Sequence, residues 1–327
     1  MSMRKMGLTN LAAAVGGPLD AFICGASYED RCGSIASQLS GVQIETVLVG
    51  VNENLERHVG RNAEKLLGLF GGTTRRVSMD STDPLRIADS WMAELDALPS
   101  RSPRRWLVDI TTFTHEALLI VLKLLRQHTH HGDTCMLAYA SAGDYDAPRR
   151  GEEKWLSKGV AEVRSVLGYP GAILPSKKTH LVVLVGYEHE RATRLIESFE
   201  PNRISLGCGS KGSGTSPKHE EANRRFHELA SEMAARFAPV EKFEFPSDDP
   251  WGTKEAIRSQ LGKYPEYNVV IAPMNTKMST LGCALLAWEL DTIQVCYAQA
   301  IRYNYAHYSL PGDCCYLFEF PELVAGE

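Results

Sequence analysis

No stretch of 18 or more consecutive apolar residues occurs in the sequence, so no membrane-spanning helix is expected. Surplus positive charge is missing too. Against 40 Asp and Glu stand 35 Lys and Arg, a formal net charge of −5. Neutralising the phosphates of DNA or RNA needs the opposite balance, so no direct DNA binding is expected. The eight cysteines include no C-x-x-C pair, and most fall in apolar surroundings. That argues against zinc and disulfide frameworks and fits buried, reduced thiols in a cytoplasmic protein. Nucleophile-elbow, H-E-x-x-H, kinase and P-loop signatures are absent. No cofactor and no metal is expected, and His128, His130 and His131 read as an ordinary polar helix end. The first residues, MSMRKMGLTNLAAAVGG, hold only a short apolar stretch and no cleavage site, so they read as a mobile lead-in.

What is present is a soluble composition, 44% hydrophobic and 23% charged, over a length that suggests about two domains. An internal repeat organises it. Four pairs of segments recur in the same order: Ala21–Arg31 with Leu181–Arg191, Ser81–Pro84 with Ser247–Pro250, Val108–His115 with Val270–Lys277, and Ala138–Ala142 with Cys296–Ala300. The offsets run from 158 to 166 residues. Four collinear matches at nearly one spacing point to a duplicated domain and not to a short-period solenoid.

Each copy alternates short Val- and Ile-rich runs with longer amphipathic segments. Continuous apolar runs such as LVVLVG and NVVIAP fit strands covered on both faces. The alternation predicts an α/β fold of two tandem Rossmann-like, doubly wound parallel-sheet domains. The expected division is a first domain over 1–150, a linker or edge segment over 151–177, and a second domain over 178–327. The apolar CCYLFEF run at 314–320 is expected as an edge strand of that second domain.

The repeated motifs fall at predicted strand-to-helix junctions, where an open α/β sheet binds ligands. Unsatisfied N–H groups at a helix start favour phosphate or carboxylate. In the first copy Asp109, Thr111, Thr114 and His115 stand at such a junction, and in the second Asn275, Thr276 and Lys277. Two roles fit: Thr and Asn as helix caps, or as ligand contacts. The loop after each first strand adds Ser27, Tyr28, Glu29 and Arg31, matched by Tyr187, Glu188 and Arg191. Tyr can stack on a base; the alternative is Glu as a first-turn dipole partner and Arg on a solvated face. Gly207–Gly214 is glycine-rich without the P-loop Gly-Lys-Ser/Thr ending, and reads as a flexible surface loop. Glu152, Glu153 and Lys154 form a solvated charge run. Tyr303, Tyr305, His307 and Tyr308 read as structural, with cleft lining as the alternative.

The Asp109-Ile-Thr-x-x-Thr-His115 pattern resembles the D-x-[ST]-x-x-T-[KR] motif of CARF domains, the Rossmann-like sensors of CRISPR-associated systems. Pro273-x-x-Thr-Lys-Met278 resembles a divergent partner of it, and a fused pair resembles the SAVED domains of bacterial anti-phage systems. There are departures. Thr112-Phe113 and Met274-Asn275 stand where the family has glycines, and His115 stands where it has Lys or Arg. The resemblance implies a sensor of a nucleotide or cyclic oligonucleotide second messenger, with one pocket between two halves. Its ligand-binding residues would be Ser27, Tyr28, Asp109, Thr111, Thr114, His115, Tyr187, Glu188, Asn275, Thr276 and Lys277. A metal-independent phosphodiesterase is the enzymatic alternative, with His115, Lys277 and Thr276 as catalytic candidates. A non-catalytic partner-binding subunit, its pocket blocked by Phe113 or Met274, is the third reading. Two such units leave little chain for an effector, so a separate effector protein or assembly as a homo-oligomer is expected to carry the output.

Overall fold

The computed structural model of the chain describes residues 3–145, 156–214, 217–305 and 308–324. The fold divides into unit 1, Met1–Tyr145 with His307–Glu327, and unit 2, Asp146–Ala306. The charge run at 152–154 and His307 lie outside the described residues.

Unit 1 runs β1 (Arg4–Gly7), α1 (Leu11–Val15), β2 (Leu19–Gly25), α2 (Ser34–Gln38), β3 (Ile44–Asn52), α3 (Glu56–Leu69) and β4 (Thr74–Met79), then α4 (Pro84–Asp96), β5 (Arg105–Asp109), α5 (His115–His128) and β6 (Thr134–Tyr145). Unit 2 runs β7 (Ser157–Pro170), β8 (Thr179–Leu184), α6 (His189–Phe199), β9 (Arg203–Gly209), α7 (Pro217–Ala234) and β10 (Val240–Phe245), then α8 (Pro250–Leu261), β11 (Asn268–Pro273), α9 (Lys277–Glu289) and β12 (Ile293–Tyr303). A last strand, β13 (Ser309–Glu319), returns to unit 1.

The sheets have the orders β1-β13-β6-β5-β2-β3-β4 and β10-β9-β8-β11-β12-β7. In each, five strands are parallel in one common order, and an antiparallel strand flanks the last of them. This is the doubly wound Rossmann-like arrangement, present twice, and the common order fits a duplication. Alternate residues of each strand serve opposite faces. Phe22, Cys24, Val47 and Val49 form a core with Ile35 of α2 and Val59, Ala63 and Leu66 of α3. On the other face α4 packs against α5. Unit 2 repeats this, with Leu181, Val183 and Leu206 against Leu195 and Ile196 of α6 and Ala230 of α7, and with α8 against α9.

Three expectations need correction. The terminal apolar run belongs to the first sheet: β13 pairs with β6 and β1, and carries Cys315, Leu317 and Phe318 into unit 1. The 151–177 segment contains the 14-residue β7, which pairs with β12 as the antiparallel edge of unit 2. Each antiparallel strand therefore follows the last parallel strand of one sheet in sequence and pairs in the other. The N-terminal segment is part of the fold, with Leu11 and Val15 in the core and β1 beside β13. Burial of large apolar side chains outweighs the cost of ordering that short stretch.

The Ser-x-Asp-Pro repeat explains itself locally. Asp83 accepts hydrogen bonds from Leu85 N and Arg86 N, and Asp249 from Trp251 N, with Pro84 and Pro250 opening the helices. An Asp cap followed by proline satisfies orphan donors and presets the helical φ. Seven of the eight cysteines are buried and all eight are free. Burial raises the Cys24, Cys283 and Cys296 thiols.

Candidate functional site

The strand order reverses between β2 and β5 in unit 1 and between β8 and β11 in unit 2. The repeated motifs sit at these two switch points, at the carboxyl ends of the strands, where such sheets leave a crevice.

Each junction is stapled across its switch point. Thr112 Oγ1 donates to the Gly25 carbonyl at 2.8 Å, and Asn275 Nδ2 donates to the Val185 carbonyl at 2.6 Å. Gly25 and Val185 are repeat equivalents, 160 residues apart. Close approach needs small residues there. A Cβ on Gly25 would stand 3.2 Å from the Phe113 ring, and a Cβ on Gly186 would run into the Met274 carbonyl oxygen. Phe113 lies 2% exposed, with its ring centroid 5.9 Å from that of Trp91, and Met274 is buried in the core of unit 2. Both side chains point into their own unit.

The sequence-predicted residues separate into two kinds. Several hold the fold. Asp109 is buried and accepts from Thr111 N at 2.9 Å and from the Thr111 hydroxyl. Thr111 Oγ1 in turn accepts from Ala140 N at 2.9 Å. Burial pushes the Asp109 carboxyl up to about 7, against these hydrogen bonds and the charge of Arg31. Thr114 caps α5 by accepting from Ala117 N at 3.1 Å. Thr276 caps α9 in a capping box with Ser279, and its hydroxyl donates to the Ser247 carbonyl. Ser27 is buried; its hydroxyl accepts from Glu29 N at 3.2 Å and its carbonyl from Asn62 Nδ2 at 2.9 Å.

The others are half-buried at the strand ends: Tyr28, Thr112 and His115 in unit 1, and Tyr187, Asn275 and Lys277 in unit 2. Tyr28 packs edge-on against Tyr308 at 5.4 Å. Tyr187 donates to the His219 carbonyl at 3.1 Å and packs edge-on against Phe226. His115 and Lys277 open α5 and α9, where N–H groups and the positive dipole end favour an anion.

In the first-strand loops, where a ligand contact and an arginine on a solvated face were the two expectations, the arginine is buried. Arg31 and Arg191 are buried, each paired with a buried glutamate, Glu29 at 2.8 Å and Glu188. Arg31 also donates to the Ala140 carbonyl at 3.1 Å, and Arg191 to the carbonyl of the equivalent Ala298. Tyr145 and Tyr297 lie under the two guanidiniums, at 5.7 and 5.3 Å. Burial opposes each charge, and the neighbouring glutamate overrides it, raising both arginines above their ordinary value. These pairs clamp each first-strand loop to the last parallel strand of its unit. The signal for them was the recurrence of both charged residues beside an equally recurrent tyrosine.

The glycine-rich loop is tied down and not loose. Ser210 N donates to the Phe245 carbonyl at 2.8 Å, Gly212 N to Glu220 Oε1 at 2.8 Å, and the Ser213 and Ser247 hydroxyls meet at 3.0 Å. Gly207, Gly209 and Gly212 have G-x-G-x-x-G spacing. Gly207 and Gly209 end β9, the second parallel strand of unit 2, and Gly212 follows it, whereas a dinucleotide fingerprint lies between the first parallel strand and its helix.

Among the described residues no group of three or more His, Cys, Asp or Glu could hold a metal, and no helix is long and apolar enough to cross a membrane. His128 bonds to the Leu124 carbonyl and to Asp96, both at 2.8 Å. A shallow recess lined by Asp20, Glu45, Arg101 and Trp106 lies at the amino ends of the strands, away from the switch point.

The class defined by this geometry is a tandem Rossmann-like α/β protein. No family model matches the chain, and no curated protein matches it. Among solved structures it is similar to a type III CRISPR defence DNA nuclease activated by cyclic oligoadenylate. The TM-score is 0.52 at 9% identity, over 85% of this chain and 65% of that one. The chain thus spans about two thirds of the nuclease's length, and the likeness is one of fold. The cytoplasmic domain of a prokaryotic cation chloride cotransporter also aligns, at 9% identity over 88% of this chain and 99% of that one, but its TM-score of 0.23 carries no structural argument.

Proposed function

We propose that this protein is a nucleotide or oligonucleotide second-messenger sensor of a bacterial anti-phage system. The ligand engages the carboxyl ends of the strands, at the switch point of a sheet. One observation carries this reading: a motif-bearing helix N-terminus stands at the switch point of each unit, stapled to the end of the first strand. Helix starts at His115 and Lys277 suit phosphates, and Tyr28 and Tyr187 suit bases. The fold likeness to a nuclease activated by cyclic oligoadenylate supports the ligand class. Asp109, Thr111, Thr114 and Thr276 act by holding the junctions in shape, and Glu188 by holding its loop. The output passes to a separate effector protein.

The phosphodiesterase reading rests on His115 and Lys277, because the Thr276 hydroxyl is engaged in capping α9 and in bonding Ser247. Isothermal titration of the intact protein against cyclic and linear oligoadenylates and mononucleotides tests the sensor. The expected result is micromolar or tighter binding to at least one of them, weakened about tenfold or more by Lys277→Ala. Absence of binding at high micromolar ligand overturns it. Overnight incubation read by chromatography separates the two readings: an intact ligand supports a sensor, a cleaved one the enzyme.

A further inference from the structure

The two Glu–Arg clamps differ at one point. In unit 1 the Ser309 hydroxyl closes the clamp, accepting from Arg31 Nε at 2.9 Å and donating to Glu29 Oε2. Ser309 is the first residue of β13 and stands opposite Tyr145 of β6. The matching position in unit 2 is Ser157, the first residue of β7, which stands opposite Tyr303 of β12. Tyr145 and Tyr303 are repeat equivalents, 158 residues apart, and each lies near enough to act on its own unit's arginine.

In unit 2 Glu188 pairs with Arg191 through Oε2, but Ser157 bonds neither residue. Ser157 Oγ, Arg191 Nε and Glu188 Oε1 are each buried without a hydrogen-bond partner. The residues are 7%, 5% and 8% exposed. Orphaned groups of this kind are costly, and native proteins resolve them with a direct bond or an ordered water. The chemistry selects the occupant. The guanidinium repels a cation and the carboxylate repels an anion. What remains is a small neutral species that accepts from one N–H, donates to one carboxylate oxygen and bonds a hydroxyl.

We propose that unit 2 holds an ordered water bridging Ser157, Arg191 and Glu188, in the role that the Ser309 hydroxyl fills in unit 1. The loop carrying Tyr187 and Glu188 is then tied to β7 through an exchangeable molecule, whereas the loop carrying Tyr28 and Glu29 is tied to β13 directly. The inference is independent of what the strand ends bind.

A crystal structure of the full chain, at a resolution that shows ordered water, tests it. The expected result is a single peak at roughly 2.6–3.2 Å from all three atoms. A direct Ser157–Arg191 bond, or no density between the groups, overturns it. Amide exchange supplies a second test. Ser309→Ala is expected to speed exchange in the Glu29–Arg31 loop about tenfold, and Ser157→Ala to change the Glu188–Arg191 loop by less than about threefold, since a bridging water can rearrange. Equal effects in the two loops contradict the proposal.

Discussion

Asp109 sits between two demands. Its carboxyl anchors Thr111, yet it is buried beside Cys24, Cys32 and Cys315, with Arg31 as the charge that favours ionisation. A carboxyl raised from 3.8 to about 7 binds more protons folded than unfolded between those values. Its contribution to stability is therefore full below about pH 4 and is lost as the pH rises through 7. Asp109→Asn keeps an acceptor for Thr111 and removes the titration. Relative to the natural chain, the variant is expected to gain stability steadily from pH 4 to pH 7 in urea unfolding; parallel curves would contradict the assignment. His180 works in the opposite sense in unit 2. It is buried, bonded to Ser205 at 2.8 Å, and burial lowers it from 6.5 to about 4. Its neutral form supports the fold above pH 6.5, and that support declines as the pH falls toward 4. His180→Gln is expected to flatten the acid side of the unit 2 unfolding curve, read by amide exchange within β8 and β9.

At the scale of elements, caps and close approaches decide where helices meet the sheet. Asp83→Ala and Asp249→Ala each remove a side-chain cap from a helix start, and each is expected to cost about 0.5–2 kcal/mol in denaturant unfolding. No measurable loss would show that proline alone sets these starts. Gly186→Ala is expected to be more disruptive than Gly25→Ala, because the added methyl meets a backbone carbonyl in one case and a phenyl ring in the other. Much of this level was legible in the sequence. The Val- and Ile-rich runs mark buried parallel strands, and the repeat places both switch points. The staple from Asn275 to Val185 was not legible, because a polar residue at a junction looks alike whether it faces water or a carbonyl; the clamps were marked only by the recurrence of their charged residues, which does not show burial. β7 was hidden because most of its residues are half-buried or exposed, which gives an edge strand the composition of a linker.

At the scale of the whole molecule, the sequence repeat and the sheets divide the chain differently. Unit 2 is continuous, whereas unit 1 needs β13 from the end of the chain. Such pairing depends on register over nearly the full length, and no local pattern encodes it. A chain ending at Ala306 would lose Ser309 from the clamp and Cys315, Leu317, Phe318, Phe320 and Leu323 from the unit 1 core. Fully buried side chains of the larger kind contribute about 1.5–3 kcal/mol each, and β6 would be left with an open edge. Limited proteolysis is expected to digest 1–145 in that variant while leaving 157–305 protected. Equal protection of both would mean that β13 is dispensable. Amide exchange of the intact protein with and without cyclic oligoadenylate tests the proposed binding of a nucleotide messenger at the carboxyl ends of the strands. The expected result is slowed exchange in 25–31 and 110–117 of unit 1 and in 186–191 and 274–280 of unit 2. Binding that leaves these four segments unchanged, or that protects only the amino ends of the strands near Asp20 and Arg101, would contradict it.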